Sequence, residues 1–151
     1  ISAALGIDYL SGQDQSSDKV TRFDPLYGTH HKFYGTMDYF YASAFGNGGL
    51  RDLYASIIFK PVSKLTVDLT YHNFASQQDI YVYEKNERGL GSEFDLTVTY
   101  PIRPYIVLQG GYSMMFGTDA FHQIKGGSSD RTQNWAFLSV NMNPELFSSK
   151  K

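Results

Sequence analysis

Cysteine is absent from the 151 residues, so the chain can form no disulfide and offers no thiolate to a metal or a substrate. No apolar run approaches the roughly 18 residues of a transmembrane helix, which excludes a helical membrane protein. No secretory signal is visible. A strong positive charge is missing too: the formal net charge is −2, so no binding to nucleic acid is expected.

What the sequence has in abundance is tyrosine and phenylalanine, with twelve and eleven residues against a single tryptophan. Apolar and polar side chains alternate with a period of two, which is typical of β-strands that have one apolar face. Seven segments of roughly ten residues follow this pattern, and no segment has the period of an amphipathic helix. They span 1–10, 32–41, 51–60, 64–74, 92–100, 105–116 and 135–143. The sequence therefore predicts an all-β chain.

The connections favour a transmembrane β-barrel. Residues 61–64 and 101–104 are tight turns that contain proline, whereas 75–91 and 117–132 are longer, polar and rich in glycine. In an antiparallel sheet, the two short turns lie at one end and the two long loops at the other, as in outer-membrane barrels. Aromatic residues near strand ends fit the interfacial girdles of such barrels. A soluble sandwich or ligand-binding barrel also alternates, and is the competing fold.

The polar face of these strands is rich in carboxylates, and we expect it to line a water-filled lumen. The predicted lumen residues are Asp38, Asp52, Lys60, Asp68, His72, Glu93 and Asp95. Two interpretations stay open: these carboxylates only solvate a water-filled channel, or they select, in which case this wall favours neutral or cationic solutes and repels anions. The Asp-Pro turn near residue 25 is either a constriction folded into the lumen or an ordinary structured loop. The residues of the constriction would be Arg22, Asp24, Tyr27, His31 and Lys32.

Neither a catalytic nor a metal site is expected. His30 and His31 are adjacent, so in an extended chain they point to opposite faces and cannot readily share one ion. Asp68 and His72 share a face but lie about 13 Å apart along a strand. A cross-strand partner such as Glu93 or Asp95 would be needed to build an acid–base pair. No nucleophile elbow, phosphate loop or EF-hand is present, and no cofactor is predicted.

Four stretches of the sequence carry a resemblance to a known family. They read FDPLYGTHHKFYGTMDYFY, GIDYLSGQD, GLRDLYASIIFKPVSKLTVDLTYHNF and GLGSEFDLTVTY, and the first is the most specific. Together they resemble the C-terminal part of outer-membrane porins of the alginate-export family, in the version found in Bacteroidetes-type bacteria. The resemblance covers essentially the whole chain.

The resemblance implies a bacterial outer-membrane barrel of about 18 strands, of which residues 1–151 would be one β-barrel domain or its C-terminal segment. It implies a channel in outer-membrane lipid that passes polysaccharide or smaller solutes, with other outer-membrane or periplasmic subunits as further partners. Alginate exporters need a positive lumen, whereas these strands are acidic, so the solute here stays open. Two alternatives also stay open: a barrel-embedded hydrolase or soluble ligand-binding barrel using Asp68, His72 and Glu93, and an adhesive barrel that binds through its outer loops.

Overall fold

Six antiparallel β-strands form one sheet in the computed structural model, which describes residues 1–14, 16–23, 33–40, 47–128 and 130–147. The strands are hydrogen-bonded in chain order, each to the next. Their bounds are β1 Ser2–Leu10, β2 Leu50–Val62, β3 Leu65–Val82, β4 Lys85–Arg103, β5 Ile106–Gly117 and β6 Gln133–Met142. One short helix, α1 Asp119–Lys125, lies between β5 and β6. The predicted all-β antiparallel fold is confirmed, and the sheet is consistent with part of a β-barrel.

The register sorts the side chains into two faces. His72 on β3 lies opposite Tyr54 on β2 and Glu93 on β4, and successive residues of each strand point to opposite sides. The face that carries His72 is called the polar face here. Its other members include Asp8, Asp52, Asp68, Thr70, Asp95, Thr97 and Ser113. The alternation in the sequence therefore translates directly into a sheet with two chemically different sides.

The opposite side of the sheet, called the apolar face, leaves large hydrophobic side chains uncovered. Its exposed members include Leu5, Ile7, Leu53, Ile57, Leu69, Leu138 and Val140. Aromatic rings cluster towards the end with long connections, where Tyr71, Phe94 and Phe116 lie in contact, with ring centroids 4.8 and 6.0 Å apart. At the opposite end, Tyr100 and Tyr105 are exposed. So much uncovered apolar surface suits a hydrocarbon environment and not water.

The predicted strand at 32–41 is wrong over residues 33–40, which form bends and turns. Tyr34 and Asp38 have φ angles of +66° and +57°, in the left-handed region that no strand contains. With this strand removed, β1 and β2 are direct neighbours. The odd count of seven strands becomes six among the described residues.

The predicted loop at 75–91 is also wrong. Strands β3 and β4 continue through it as a hairpin and turn at Tyr83 and Glu84, both with positive φ. At 18 and 19 residues these strands exceed the 9–11 residues that cross a membrane, so the polar hairpin end extends beyond the apolar band. Short turns between β2 and β3 and between β4 and β5 are confirmed, but they occupy 63–64 and 104–105, because the strands continue through most of the residues predicted as turns.

A small hydrophobic core lies on the polar-face side, at the end with the long connections. Its buried residues are Leu10, Phe40, Leu50, Phe74, Val82, Leu90, Met115, Ala120 and Phe121. Helix α1 begins at the cap residue Thr118, whose hydroxyl accepts a hydrogen bond from the Phe121 amide over 3.2 Å. The helix and residues 33–40 therefore cover this end of the polar face together.

None of the helices in the described ranges is long and apolar enough to cross a membrane.

Candidate functional site

Four ionisable side chains are buried together in the middle of the polar face. Asp52, His72, Glu93 and Asp95 are 1%, 8%, 0% and 6% exposed. The strand register brings them together, because β3 carries His72 between β2, which supplies Asp52, and β4, which supplies the other two carboxylates. Buried charges require partners, so the contacts of each group determine what the site can do.

The imidazole of His72 lies between two carboxylates. Its Nδ1–H donates to Asp52 Oδ2 over 2.8 Å, and its Nε2 lies 3.7 Å from Asp95 Oδ2. The ring also stacks on Phe74, with centroids 5.5 Å apart and an angle of 8° between the planes. These contacts fix the ring in one orientation. Among the described residues, no hydroxyl is hydrogen-bonded to the imidazole, so the arrangement lacks the nucleophile–base contact of covalent catalysis.

Residues 33–40 cover Glu93 and Asp95. The amide of Met37 donates to Glu93 Oε1 over 2.8 Å, and the Thr36 hydroxyl donates to Asp95 Oδ1 over 2.5 Å. Because that hydroxyl has one proton, the Ser113 hydroxyl donates to it in turn, again over 2.5 Å. The side chains of Glu93 and Asp95 thus hold a turn of the chain against the sheet by hydrogen bonds.

Gly35 makes this close approach possible. A Cβ atom at this position would lie 2.6 Å from Glu93 Oε1, and the residue has a φ of +85°. Both the space and the backbone conformation therefore require glycine. Phe40 anchors the other end of the segment, with its ring 4.5 Å from that of Phe74.

Two small cavities lie on the polar face, on either side of Tyr34. One, of about 200 Å³, is lined by Asp68, Asp95, Thr36 and Thr97 among others. The second, of about 240 Å³, lies between Asp8 and Asp52 and has Phe33 and Tyr54 in its lining. Tyr34, Thr70 and His72 line both cavities, which makes them parts of one groove. Burial raises the pKa of the Tyr34 hydroxyl, and the negative charges of Asp8 and Asp52 raise it further.

The predicted site residues divide into those of the buried cluster, those elsewhere among the described residues, and those outside the described residues. Asp68 and Lys60 share the polar face with the buried cluster but stand outside it; Asp68 accepts a hydrogen bond from Thr70 over 3.2 Å. Asp38 does not lie on a strand, because residues 33–40 turn. Arg22 is exposed and donates to Asn47 Oδ1 over 3.0 Å. The other predicted constriction residues, Asp24, Tyr27, His31 and Lys32, lie outside the described residues.

Three contributors were missed in the sequence: Gly35, Thr36 and Ser113. Gly35 was the detectable one, because a glycine inside an apparent strand pattern often marks a close backbone approach. Of the two carboxylates beside His72, Asp95 was named with Glu93 as a possible cross-strand partner for an acid–base pair, whereas Asp52 was not considered as a partner. Only the register between β2 and β3 could have identified Asp52.

In the described ranges, no group of three or more His, Asp or Glu side chains is arranged so that it could hold a metal ion. The site is therefore a polar groove formed by carboxylates, hydroxyls and aromatic rings, partly covered by an inward-folded turn.

A sheet with one bare apolar face and one polar, carboxylate-lined face defines the class of outer-membrane β-sheet proteins whose wall separates lipid from water. Within this class the chain belongs to the alginate export family, whose model matches residues 2–136. This is a family of outer-membrane transport porins and not of enzymes, with polysaccharide as cargo and outer-membrane lipid as surroundings. No characterised protein and no solved structure shows a significant match to the chain.

Proposed function

We propose that this chain forms part of the wall of an outer-membrane channel, and that its polar face lines the lumen through which polysaccharide or small hydrophilic solutes pass. The observation that carries the proposal is the division of the sheet into two faces. Exposed leucine, isoleucine and aromatic side chains suit lipid, and the carboxylates and hydroxyls opposite suit water-filled space.

Residues 1–151 are proposed to be one segment, the C-terminal one, of a larger barrel. In the described part of the chain, β1 pairs only with β2 and β6 only with β5, so each has one free edge. Free backbone groups cannot face lipid, which supports further strands beside these two edges. Additional outer-membrane or periplasmic subunits, and a source in Bacteroidetes-type bacteria, stay predictions.

The lumen of this segment is acidic. Its proposed lining consists of Asp52, Lys60, Asp68, His72, Glu93 and Asp95, with Asp38 on the covering turn. Carboxylates in a narrow pore attract cations and repel anions. We therefore propose neutral or cationic solutes for this part of the wall, in preference to a polyuronate.

Conductance of the full-length protein in planar lipid bilayers tests the channel. We expect discrete conductance steps and a reversal potential in a KCl gradient that shows preference for K⁺ over Cl⁻. Replacing Asp68 with asparagine should reduce that preference, whereas Asp130→Asn, which removes an exposed charge in the connection before β6, should leave it unchanged. Intact insertion without conductance would contradict the channel and favour an adhesive barrel; hydrolysis of a polysaccharide that is lost in Asp68→Asn would favour an enzyme.

A further inference from the structure

We propose that the cavity between Asp8 on β1 and Asp52 on β2 binds the ammonium group of an amino sugar or of a similar small hydrophilic amine. The proposal rests on the channel function proposed above and assigns a solute class to one place on its wall. The cavity has a volume of about 240 Å³. Three observations carry the proposal: the like-charged pair, the unpartnered oxygen of Asp52, and the aromatic rings around them.

Asp8 and Asp52 are direct cross-strand partners. Side chains in this relation have Cβ atoms about 5 Å apart, and two like charges placed so destabilise a sheet. Asp8 forms no hydrogen bond or ion pair with any described residue. The cavity lining has neither lysine nor arginine among the described residues, and the imidazole of His72 is already directed at Asp52. A cation between the two carboxylates would relieve their repulsion.

The second observation is the state of Asp52 itself. This side chain is 1% exposed, and its Oδ1 accepts no hydrogen bond from the described part of the chain. A buried acceptor without a donor is costly, and so is uncommon in native proteins. An ammonium group offers three donors and no acceptor. It could therefore serve Asp52 and Asp8 at once, which a hydroxyl with its single proton cannot do.

Aromatic rings form the remaining wall. The Tyr54 ring lies across Gly6, where a Cβ atom would be 2.2 Å from the ring, and Tyr34 and Phe33 have centroids 5.9 Å apart. Ring faces attract cations. The neighbouring cavity of about 200 Å³, which shares Tyr34, leaves space beside the ammonium site for the rest of the solute. Hydroxyls of Thr70 and Thr97 line that space and can bond to those of a sugar.

The test measures block of the channel current by three sugars with the same ring, using the full-length protein in planar bilayers. Glucosamine, at a pH where its amine is protonated, carries the proposed cation; glucose is neutral and glucuronate is an anion. We expect the dissociation constant for block by glucosamine to be about tenfold lower than that for glucose, as for a hydrogen bond to a charged group. Glucuronate should block least.

Asp8→Asn is the diagnostic variant and Asp130→Asn its matched control. Both remove one negative charge, but Asp130 is exposed in the connection before β6 and lines neither cavity. We expect Asp8→Asn to raise the glucosamine constant about tenfold, and Asp130→Asn to change it by less than about threefold. The KCl conductance of each variant reports whether the channel is assembled.

Each possible outcome tests either the ammonium site or the channel function. Equal effects of Asp8→Asn and Asp130→Asn would overturn the site and leave only the general charge of the protein. Equal block by glucose and glucosamine would overturn the ammonium assignment even if neither variant folds, because that comparison uses the unaltered protein. A protein that conducts without discriminating among the sugars contradicts this inference alone. A protein that inserts and does not conduct contradicts the channel on which the inference rests.

Discussion

Gly35→Ala should release the turn at residues 33–40 from the polar face. A methyl group at this position would lie 2.6 Å from Glu93 Oε1, at a φ of +85°. For a residue with a Cβ atom, the left-handed conformation costs about 1–2 kcal/mol. Displacing the Glu93 side chain also weakens its hydrogen bond from the Met37 amide, and a typical hydrogen bond contributes about 1 kcal/mol.

The lower backbone cost of about 1 kcal/mol and the lost hydrogen bond of about 1 kcal/mol together shift the equilibrium between the docked and the released turn by about 2 kcal/mol, which is about a 30-fold larger released population. The absence of cysteine makes this population measurable, because a single introduced thiol is the only one in the chain. Ser113 lies directly beneath Thr36 and is 1% exposed. We therefore expect Ser113→Cys to react about 30-fold faster with a small thiol reagent when Gly35→Ala is also present.

Gly89→Ala is the matched control, since a Cβ atom there has no neighbour within 4 Å. In the Ser113→Cys background it should leave the labelling rate unchanged within about twofold, consistent with a surface substitution. If Gly35→Ala and Gly89→Ala give the same rate, then neither the left-handed backbone nor the closeness of Glu93 holds the turn, and the reasoning fails.

Three further perturbations test other parts of the fold. Phe40→Ala should lower the free energy of unfolding by about 4 kcal/mol, because the ring is buried in the core; thermal unfolding measures this, and an unchanged midpoint would contradict the anchor. Leu96→Arg should cost about 2–4 kcal/mol in folding into lipid vesicles, and Thr99→Arg, on the opposite face of the same strand, far less; equal costs would contradict the lipid-facing assignment. Arg88 donates to Asp79 over 2.5 Å in the exposed hairpin and lowers the pKa of that carboxyl. Arg88→Gln should return this pKa towards its ordinary value, as followed by NMR titration; the paired carboxylate favours the hairpin above the ordinary pKa, and this contribution disappears as the pH falls through the lowered one.

The alternation of side chains predicted six strands correctly because the two faces meet different surroundings. In the segment from Leu65 to Tyr71 every second residue is apolar, which is the period of a strand with one apolar face. The same signal misled at residues 33–40. There Met37 and Tyr39 alternate as well, as if on a lipid-facing side, yet both pack against the buried core, with the Tyr39 ring 4.9 Å from that of Phe121. The alternation indicates that these aromatic side chains are removed from water. It does not indicate whether they face lipid or pack into a core on the polar face.

The hairpin at 75–91 was missed for the opposite reason. Beyond the membrane neither face needs to be apolar, so Asp79, Lys85 and Arg88 gave no alternation although the backbone pairing continues. The buried cluster was out of reach because it depends on register: Asp52 and His72 are 20 residues apart and meet only when β2 and β3 align. Composition predicted that this face would be acidic, and the structure determines which acids touch.

That distinction separates two kinds of carboxylate on the polar face. Glu93 is occupied by the amide of Met37, and so contributes to holding the turn in place. Among the described residues, Asp68 accepts a hydrogen bond only from its neighbour Thr70, and it lines a cavity, so its charge is available to a passing ion. Glu93→Gln should therefore speed labelling of Ser113→Cys and change the preference for K⁺ over Cl⁻ little. Asp68→Asn should leave the labelling rate unchanged and reduce the preference for K⁺. If both substitutions changed selectivity equally, Glu93 and Asp68 would contribute equally to the charge that a solute experiences. Hydrogen bonding within the wall would then not determine which carboxylates act on the solute.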